Sequence, residues 1–304
     1  MRSGLAQIVV FATACLLAEQ MPIAQRAHAA VIPEGQDKNS CPGSSPSSEA
    51  PLSDSEVSID NVTFSGFLQM PITDQDAIVA SIIKEAHGDT LDGVVDEALE
   101  RARAGWQDRG YFKVQVTGDA RAITKNAADP HVALFVHVNE GPRYTLDGIT
   151  FKNNRAISNT QALRALFPIN DGDIFSRRKV AKGLENLRKA YGQYGYINFT
   201  SVPATTFDDE NKLALLEIDV DEGKQFYISS IKVEGLEEQR RQEILNGLRI
   251  KPGQIYNSRL WELSLRKYGS IVPDCECRSS HSLHLDEQTG TIAVTLDFRP
   301  CSKD

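Results

Sequence analysis

The 304-residue chain carries 33 Lys and Arg against 41 Asp and Glu, a formal net charge of −8. That balance excludes the basic face a nucleic-acid partner would favour. After the N-terminus no stretch offers the roughly 20 apolar residues of a transmembrane helix, nor the long series of alternating strands of about 10 residues that closes a membrane barrel.

Residues 1–29 read as a signal peptide: Arg2 gives a positive start, Leu5 to Ala18 is an apolar run too short to span a bilayer, and Ala27-His28-Ala29 forms an A-x-A cleavage site. Two rival readings are weaker. Glu19 and Gln20 end the apolar run too early for a retained anchor, and Phe11 to Ala14 lacks the Leu expected three residues before a lipidated Cys15. The mature protein is therefore expected to be exported. Residues 30–57, centred on Pro42-Gly43-Ser44-Ser45-Pro46, contain too little apolar surface to offset ordering entropy and read as a disordered linker.

The rest of the chain repeats itself. Glu140-Gly141 recurs as Glu222-Gly223, Ile149-Thr150-Phe151 as Ile231-Lys232-Val233, Gly172-Asp173-Ile174-Phe175 as Gly253-Gln254-Ile255-Tyr256, and Gly110-Tyr111-Phe112 as Gly195-Tyr196-Ile197. Gly88-Asp89-Thr90-Leu91 is aligned with Gly172 to Phe175. These anchors agree on three tandem domains of about 80 residues, over 58–140, 141–223 and 224–304, a size that can fold alone.

In the first unit, Val62-Thr63-Phe64 is the opening strand and Thr73 to Ala86 a helix capped by Thr73 or Asp74. A second helix is lined by Val94, Val95, Ala98, Leu99 and Ala102 and ends at Trp106; Phe112 to Thr117 and Val132 to Val138 form a hairpin. The second unit has a strand over Tyr144 to Phe151, a turn at Asn153-Asn154, a short helix capped by Ser158, and a longer helix capped by Ser176 with Val180, Leu184, Leu187 and Tyr191 on one stripe. Its hairpin pairs Asn198 to Phe207 with Leu213 to Val220, whose Ala214, Leu216, Ile218 and Val220 form the better core face. The third unit keeps Leu260, Leu263 and Leu265 in its second helix and a hairpin of His281 to Leu285 with Thr291 to Phe298, but Tyr268-Gly269-Ser270-Ile271 replaces the Gly-Tyr step. The order strand, helix, helix, strand, strand predicts an α+β fold: tandem β-α-α-β-β domains, each a short mixed sheet covered on one face by two helices.

This ordered set of residues resembles POTRA domains, the polypeptide-transport-associated repeats of BamA-type outer-membrane assembly factors and of two-partner secretion transporters. The resemblance rests on Glu140-Gly141-Pro142, Gly172-Asp173-Ile174-Phe175, Leu187-Arg188-Lys189, Gly195-Tyr196-Ile197 and Asp221-Glu222-Gly223-Lys224, and spans roughly residues 58–300. Relatives that insert proteins carry a membrane barrel after the repeats; none is read in this sequence, so insertase or pore activity is not carried over. What the resemblance implies is a non-enzymatic protein-binding module of the periplasm, peripheral to the outer membrane, whose partner is an outer-membrane barrel protein or unfolded outer-membrane or secreted clients. A docking role in an envelope or cell-division complex is the alternative. The resemblance also places the partner-binding edge, where an extended chain would add a strand, at Phe112, Val114 and Val116 and at Asn198, Thr200 and Val202.

Other candidates have plainer readings. Gly110-Tyr111 and Gly195-Tyr196 are expected to be helix-to-strand turns with Gly at positive φ. Asp208-Asp209-Glu210 sits in a predicted hairpin turn and reads as solvated loop rather than an acid/base pair or Ca²⁺ site. If the last hairpin turns near Glu287-Gln288, Cys277 or Cys275 stands opposite Cys301 and a disulfide is feasible; the rival, zinc held by Cys275, Cys277, His281 and His284, fits no common ligand spacing. No catalytic motif is present, and no cofactor or metal is expected.

Overall fold

The computed structural model describes residues 57–88, 90–123, 130–268 and 281–300. The expected signal peptide, nearly all of the expected linker, and Cys275, Cys277 and Cys301 with their alternative pairings lie outside the described residues, as does Gly269-Ser270-Ile271.

Three mixed sheets follow one another. The first holds β1 (Ser58–Ser65), β2 (Gln115–Ala122) and β3 (His131–Asn139), with helices α1 (Ile72–Glu85) and α2 (Leu91–Gln107) between β1 and β2. The second holds β4 (Thr145–Lys152), β5 (Thr200–Asp208) and β6 (Leu213–Asp221), with α3 (Thr160–Arg164) and α4 (Arg177–Gln193). The third holds β7 (Tyr227–Glu234), β8 (His281–Asp286) and β9 (Thr291–Asp297), with α5 (Glu238–Gly247) and α6 (Ser258–Tyr268). In each sheet the last strand is central, parallel to the first and antiparallel to the second. The first strand carries the same bulge in every unit, between Ile59 and Asn61, Leu146 and Gly148, and Ile228 and Ser230.

Each sheet buries one face under its helices. In β6, Ala214, Leu216, Ile218 and Val220 are buried as their alternation predicts, while Leu215 and Asp219 face out. Three apolar clusters result, centred on Trp106 and Leu134, on Leu187 and Leu216, and on Trp261 and Val294.

Three local expectations need correction. Helix α1 begins after Pro71, with no side-chain cap, so Thr73 and Asp74 lie in its first turn; Gln75 Nε2 instead reaches back to the Met70 carbonyl. Asn159 rather than Ser158 caps α3, accepting from the Ala162 N–H at 3.0 Å, since adjacent Ser and Asn are equally good caps and spacing alone does not choose. Gly88 does not correspond to Gly172: Thr90 caps α2 as Ser176 caps α4, and Gly172 but not Gly88 has positive φ. The stretch from this glycine to the cap is two residues shorter in the first unit than in the second, so like residue types there do not share a place.

Candidate functional site

Two features recur from unit to unit and bear on binding: the sheet edges and the joints between successive units.

The joint explains the Gly-Tyr step. Gly110 and Gly195 have φ of 93° and 85° and end α2 and α4 as expected, and Tyr111 folds back so that its N–H donates to the Trp106 carbonyl. The carbonyls of these two glycines then accept from the next unit, from Tyr144 N–H at 2.8 Å and Phe226 N–H at 2.9 Å. A Cβ on Gly110 would lie 2.8 Å from Ile174 Cγ2, and one on Gly195 2.8 Å from Ile255 Cγ2, so an isoleucine of the following unit closes on each glycine. Arg143 Nε and Gln225 Nε2 donate across to the carbonyls of Arg109 and Tyr194.

The residue after each Gly-Tyr completes the joint. Phe112 packs among Phe175 and Phe207 of the second unit, with ring centroids 5.3 and 5.2 Å away, and Ile197 packs against the core of the third. Lys113 Nζ bridges to Asp209 at 2.6 Å, and Tyr144 Oη donates to the same carboxylate at 2.5 Å. The Lys113 bond, then that of Tyr144, holds the Asp209 carboxyl below its usual range. At the second joint Asn198 Nδ2 donates to Glu287 at 3.1 Å, and Lys224 Nζ to the Glu287 carbonyl at 2.6 Å. Asp108 closes the first joint from the side, accepting from the Arg178 N–H (2.5 Å) and Ser176 Oγ (3.3 Å) at the start of α4.

Phe112 and Asn198, expected on a free edge, are thus committed to joints, and both precede the strands. Asp208-Asp209-Glu210 is also more than solvated loop: Asp208 organises the turn by accepting from the N–H groups of Glu210 and Asn211, while Asp209 spans the joint. Periodicity gives no signal for this, because Phe112 reads as the first residue of a strand. Among the described residues, no group of three or more His, Cys, Asp or Glu is placed to hold a metal ion, and no helix is long and apolar enough to cross a membrane.

The sheet edges hold the remaining predicted residues. Ile123 N–H donates to the His131 carbonyl at 2.8 Å, one step beyond the Ala122–Val132 pair. In an antiparallel ladder bonded pairs alternate, so Gln115, Thr117, Asp119 and Arg121 bond inward to β3. Val116, Gly118, Ala120 and Ala122 turn their N–H and C=O groups outward. In β5 the pair Thr200–Asp221 takes the place of Gln115–Asn139. Ser201, Pro203, Thr205 and Phe207 are then the outward positions. Pro203 fits this parity, because a proline in a sheet is tolerated where the missing donor faces away from the ladder. Of the predicted residues, Val116 presents outward backbone, Val114 is buried just before β2, and Thr200 and Val202 direct their backbone into the sheet while Val202 leaves its side chain 54% exposed.

A family model described as POTRA, surface antigen variable number repeat, matches residues 144–223. A Treponema pallidum protein named for outer membrane protein assembly is 27% identical over 200 residues, which is 62% of this chain and 24% of that protein. The outer membrane protein assembly factor BamA of Buchnera aphidicola is 21% identical over 213 residues, 66% of this chain and 34% of its own. This chain therefore spans about a quarter to a third of those relatives. The crystal structure of Haemophilus influenzae BamA POTRA3-5 superposes with a TM-score of 0.57 at 20% identity, covering 80% of this chain and 96% of that one.

Proposed function

We propose that this array of tandem POTRA domains is a periplasmic protein-binding module in outer-membrane protein assembly or secretion, and that it holds extended segments of its partners or clients by strand addition. The observation that carries this reading is the strand order: each three-stranded sheet ends on both sides in a strand, β1 and β2, β4 and β5, β7 and β8, that is hydrogen-bonded to a named strand on one side only among the described residues. Such an edge offers backbone donors and acceptors that pair with an incoming chain whatever its side-chain sequence. The named roles of the relatives in outer membrane protein assembly supply the client class.

The test is a proline on an outward position, which removes a donor from the edge and leaves the ladder bonded. Ala120→Pro meets that condition; Thr200→Pro does not, because the Thr200 N–H faces β6. Capture of a urea-unfolded outer-membrane barrel protein by the full chain should fall with Ala120→Pro while circular dichroism is unchanged. Capture equal to that of the parent chain would refute strand addition at β2.

A further inference from the structure

We infer that the joint between the first and second units carries a docking cleft for an acidic segment of a partner protein, one in which carboxylates stand beside apolar side chains. This rests on the protein-binding reading above but not on strand addition.

The cleft has a volume of about 600 Å³ and is lined by Phe67 and Gln69 of the loop after β1, by the connector from Asn139 to Arg143, and by Lys212 of the turn between β5 and β6. Clefts of this size between domains are common places for a ligand. Three of its residues stand out when the two joints are compared.

Arg143 and Gln225 make the same bond across their joints, Arg143 Nε donating to the Arg109 carbonyl and Gln225 Nε2 to the Tyr194 carbonyl. Glutamine thus serves a joint as well as arginine does, and the Nη groups of the exposed Arg143 are surplus to it; among the described residues they make no hydrogen bond or ion pair. Lys212 and Gly290 close equivalent hairpin turns, their carbonyls accepting at 3.0 Å from the N–H groups of Thr145 and Tyr227. Both have positive φ, 58° and 68°. Lysine therefore holds, under strain, a conformation that glycine adopts freely, and backbone strain of this kind gathers at functional sites. The Lys212 ammonium makes no hydrogen bond or ion pair among the described residues. The Asp209 carboxylate, which feels its charge, is already bonded to Lys113 and Tyr144.

Phe67 is the third departure. In each unit the first strand is followed by a residue at positive φ, Gly66, Asn153 or Gly235, and then by Phe67, Asn154 or Leu236. Asn154 Nδ2 closes its own loop on the Ile157 carbonyl, and Leu236 packs on the third core. Phe67 does neither and is 87% exposed.

Two spare cations and a bare aromatic ring therefore line one cleft, and the second joint has none of the three. Arginine offers a carboxylate a planar fork of donors and lysine a point charge, while the phenylalanine ring offers apolar area to a neighbouring side chain. Glu140, the acidic group of the cleft, does not compete for the cations, because Trp106, Gln69 and Met70 already donate to it. A concave site between two units admits a short protein segment, whereas a membrane surface is broad and flat.

The probe is a fluorescent eight-residue peptide with two glutamates followed by two leucines at its centre, titrated into the full chain by anisotropy. The variants place the second joint's residues in the first: Phe67→Asn, Arg143→Gln and Lys212→Gly. Since the second joint folds with these residues, circular dichroism should match the parent chain. Arg143→Gln and Lys212→Gly should each weaken the peptide roughly tenfold, the loss of one charge-assisted hydrogen bond, and the triple variant should not bind it. Glutamine in place of the peptide's glutamates should have the same effect. Bound peptide should slow limited proteolysis between the first and second units and leave cleavage between the second and third unchanged. Ala120→Pro should keep the peptide affinity of the parent. No binding by the parent chain, equal affinity in the triple variant, or a triple variant that loses only its binding to anionic phospholipid vesicles would overturn the cleft as a protein site. Loss of the peptide with Ala120→Pro would place it at the β2 edge and overturn the cleft while leaving strand addition standing. If neither the peptide nor the unfolded barrel protein is held, the protein-binding reading falls as well.

Discussion

Glu140 is the residue whose loss the structure grades most sharply. It directly follows β3, is 2% exposed, and its carboxylate accepts from Trp106 Nε1 at 2.9 Å, Gln69 N–H at 2.7 Å and Met70 N–H at 3.1 Å. One side chain thus ties the last strand of the unit to α2 and to the loop entering α1. Glu140→Ala leaves three donors without their acceptor, each costing about 1–3 kcal/mol when it stays buried. Water entering from the cleft beside Gly141 and Pro142 should relieve part of this, leaving a loss of about 3–6 kcal/mol. A small domain holds only about 5–15 kcal/mol in total. With a urea dependence near 1 kcal/mol/M, the first unit's midpoint should fall by roughly 3 M, or the unit should be unfolded in water. The chain has two tryptophans, so Trp261→Phe leaves Trp106 as the reporter of the first unit. Glu140→Gln keeps an acceptor for Trp106 and should fall in between. If Glu140→Ala moves the midpoint no more than a surface substitution does, about 0.5 kcal/mol, the carboxylate does not hold the unit together.

Other consequences follow at the joints and in the third unit. Gly195→Ala forces a side chain into positive φ and against Ile255 and the Phe226 carbonyl, whereas Gly172→Ala, at φ 86° with nothing within 4 Å of its Cβ, incurs the backbone strain alone. The first should cost at least about 1 kcal/mol more than the second, and it alone should speed limited proteolysis between the second and third units. Asp108→Ala removes an acceptor and a negative charge from the start of α4; thermal unfolding should show a loss of about 1 kcal/mol, with faster cleavage between the first and second units. His281 packs edge-on to Trp261, with ring centroids 6.0 Å apart, and burial pulls its pKa below the usual imidazole value. The unfolded chain then binds the proton more tightly, so stability is full above about pH 6.5 and falls as pH drops through the folded pKa. With Trp106→Phe leaving Trp261 as reporter, the third unit's urea midpoint should decline from pH 7.5 to 5, and His281→Phe should flatten that slope.

The sequence was most legible where one pattern has one physical meaning. Alternation in Leu213 to Val220 and the stripe from Val180 to Tyr191 specify which face is buried, and both faces are as expected. Local caps were less legible, because Ser158 and Asn159 are chemically equal candidates and only the course of the chain chooses. The joints were hidden for a different reason. Phe112 and Ile197 look like the first residues of strands, and nothing in periodicity reveals that their side chains belong to the core of the next unit. Edge competence was hidden too, since it depends on the parity of the ladder: Pro203 is visible in the sequence, but whether its missing donor faces β6 or solvent follows only from the register.

Divergence of the third unit shows which parts of the repeat are requirements and which are choices. The second unit repeats the carboxylate tie, with Glu222 accepting from Tyr191 Oη at 3.0 Å and from Ala156 N–H at 2.8 Å. In the register of the central strands the third unit has Pro300 at that place, so the tie cannot form. Counted from the helix caps, Tyr268 stands where Leu187 does in the second unit, and both are buried. The third unit's sheet is closed instead by Asp297, 5% exposed, which takes Arg299 Nε at 2.9 Å and the Arg299 N–H at 3.0 Å, while Arg299 Nη2 also reaches Glu234 at 3.2 Å. Closure of the central strand is therefore achieved by different chemistry where the carboxylate tie is gone. A fold that accepts such exchange at its sheet ends keeps the order of its strands fixed.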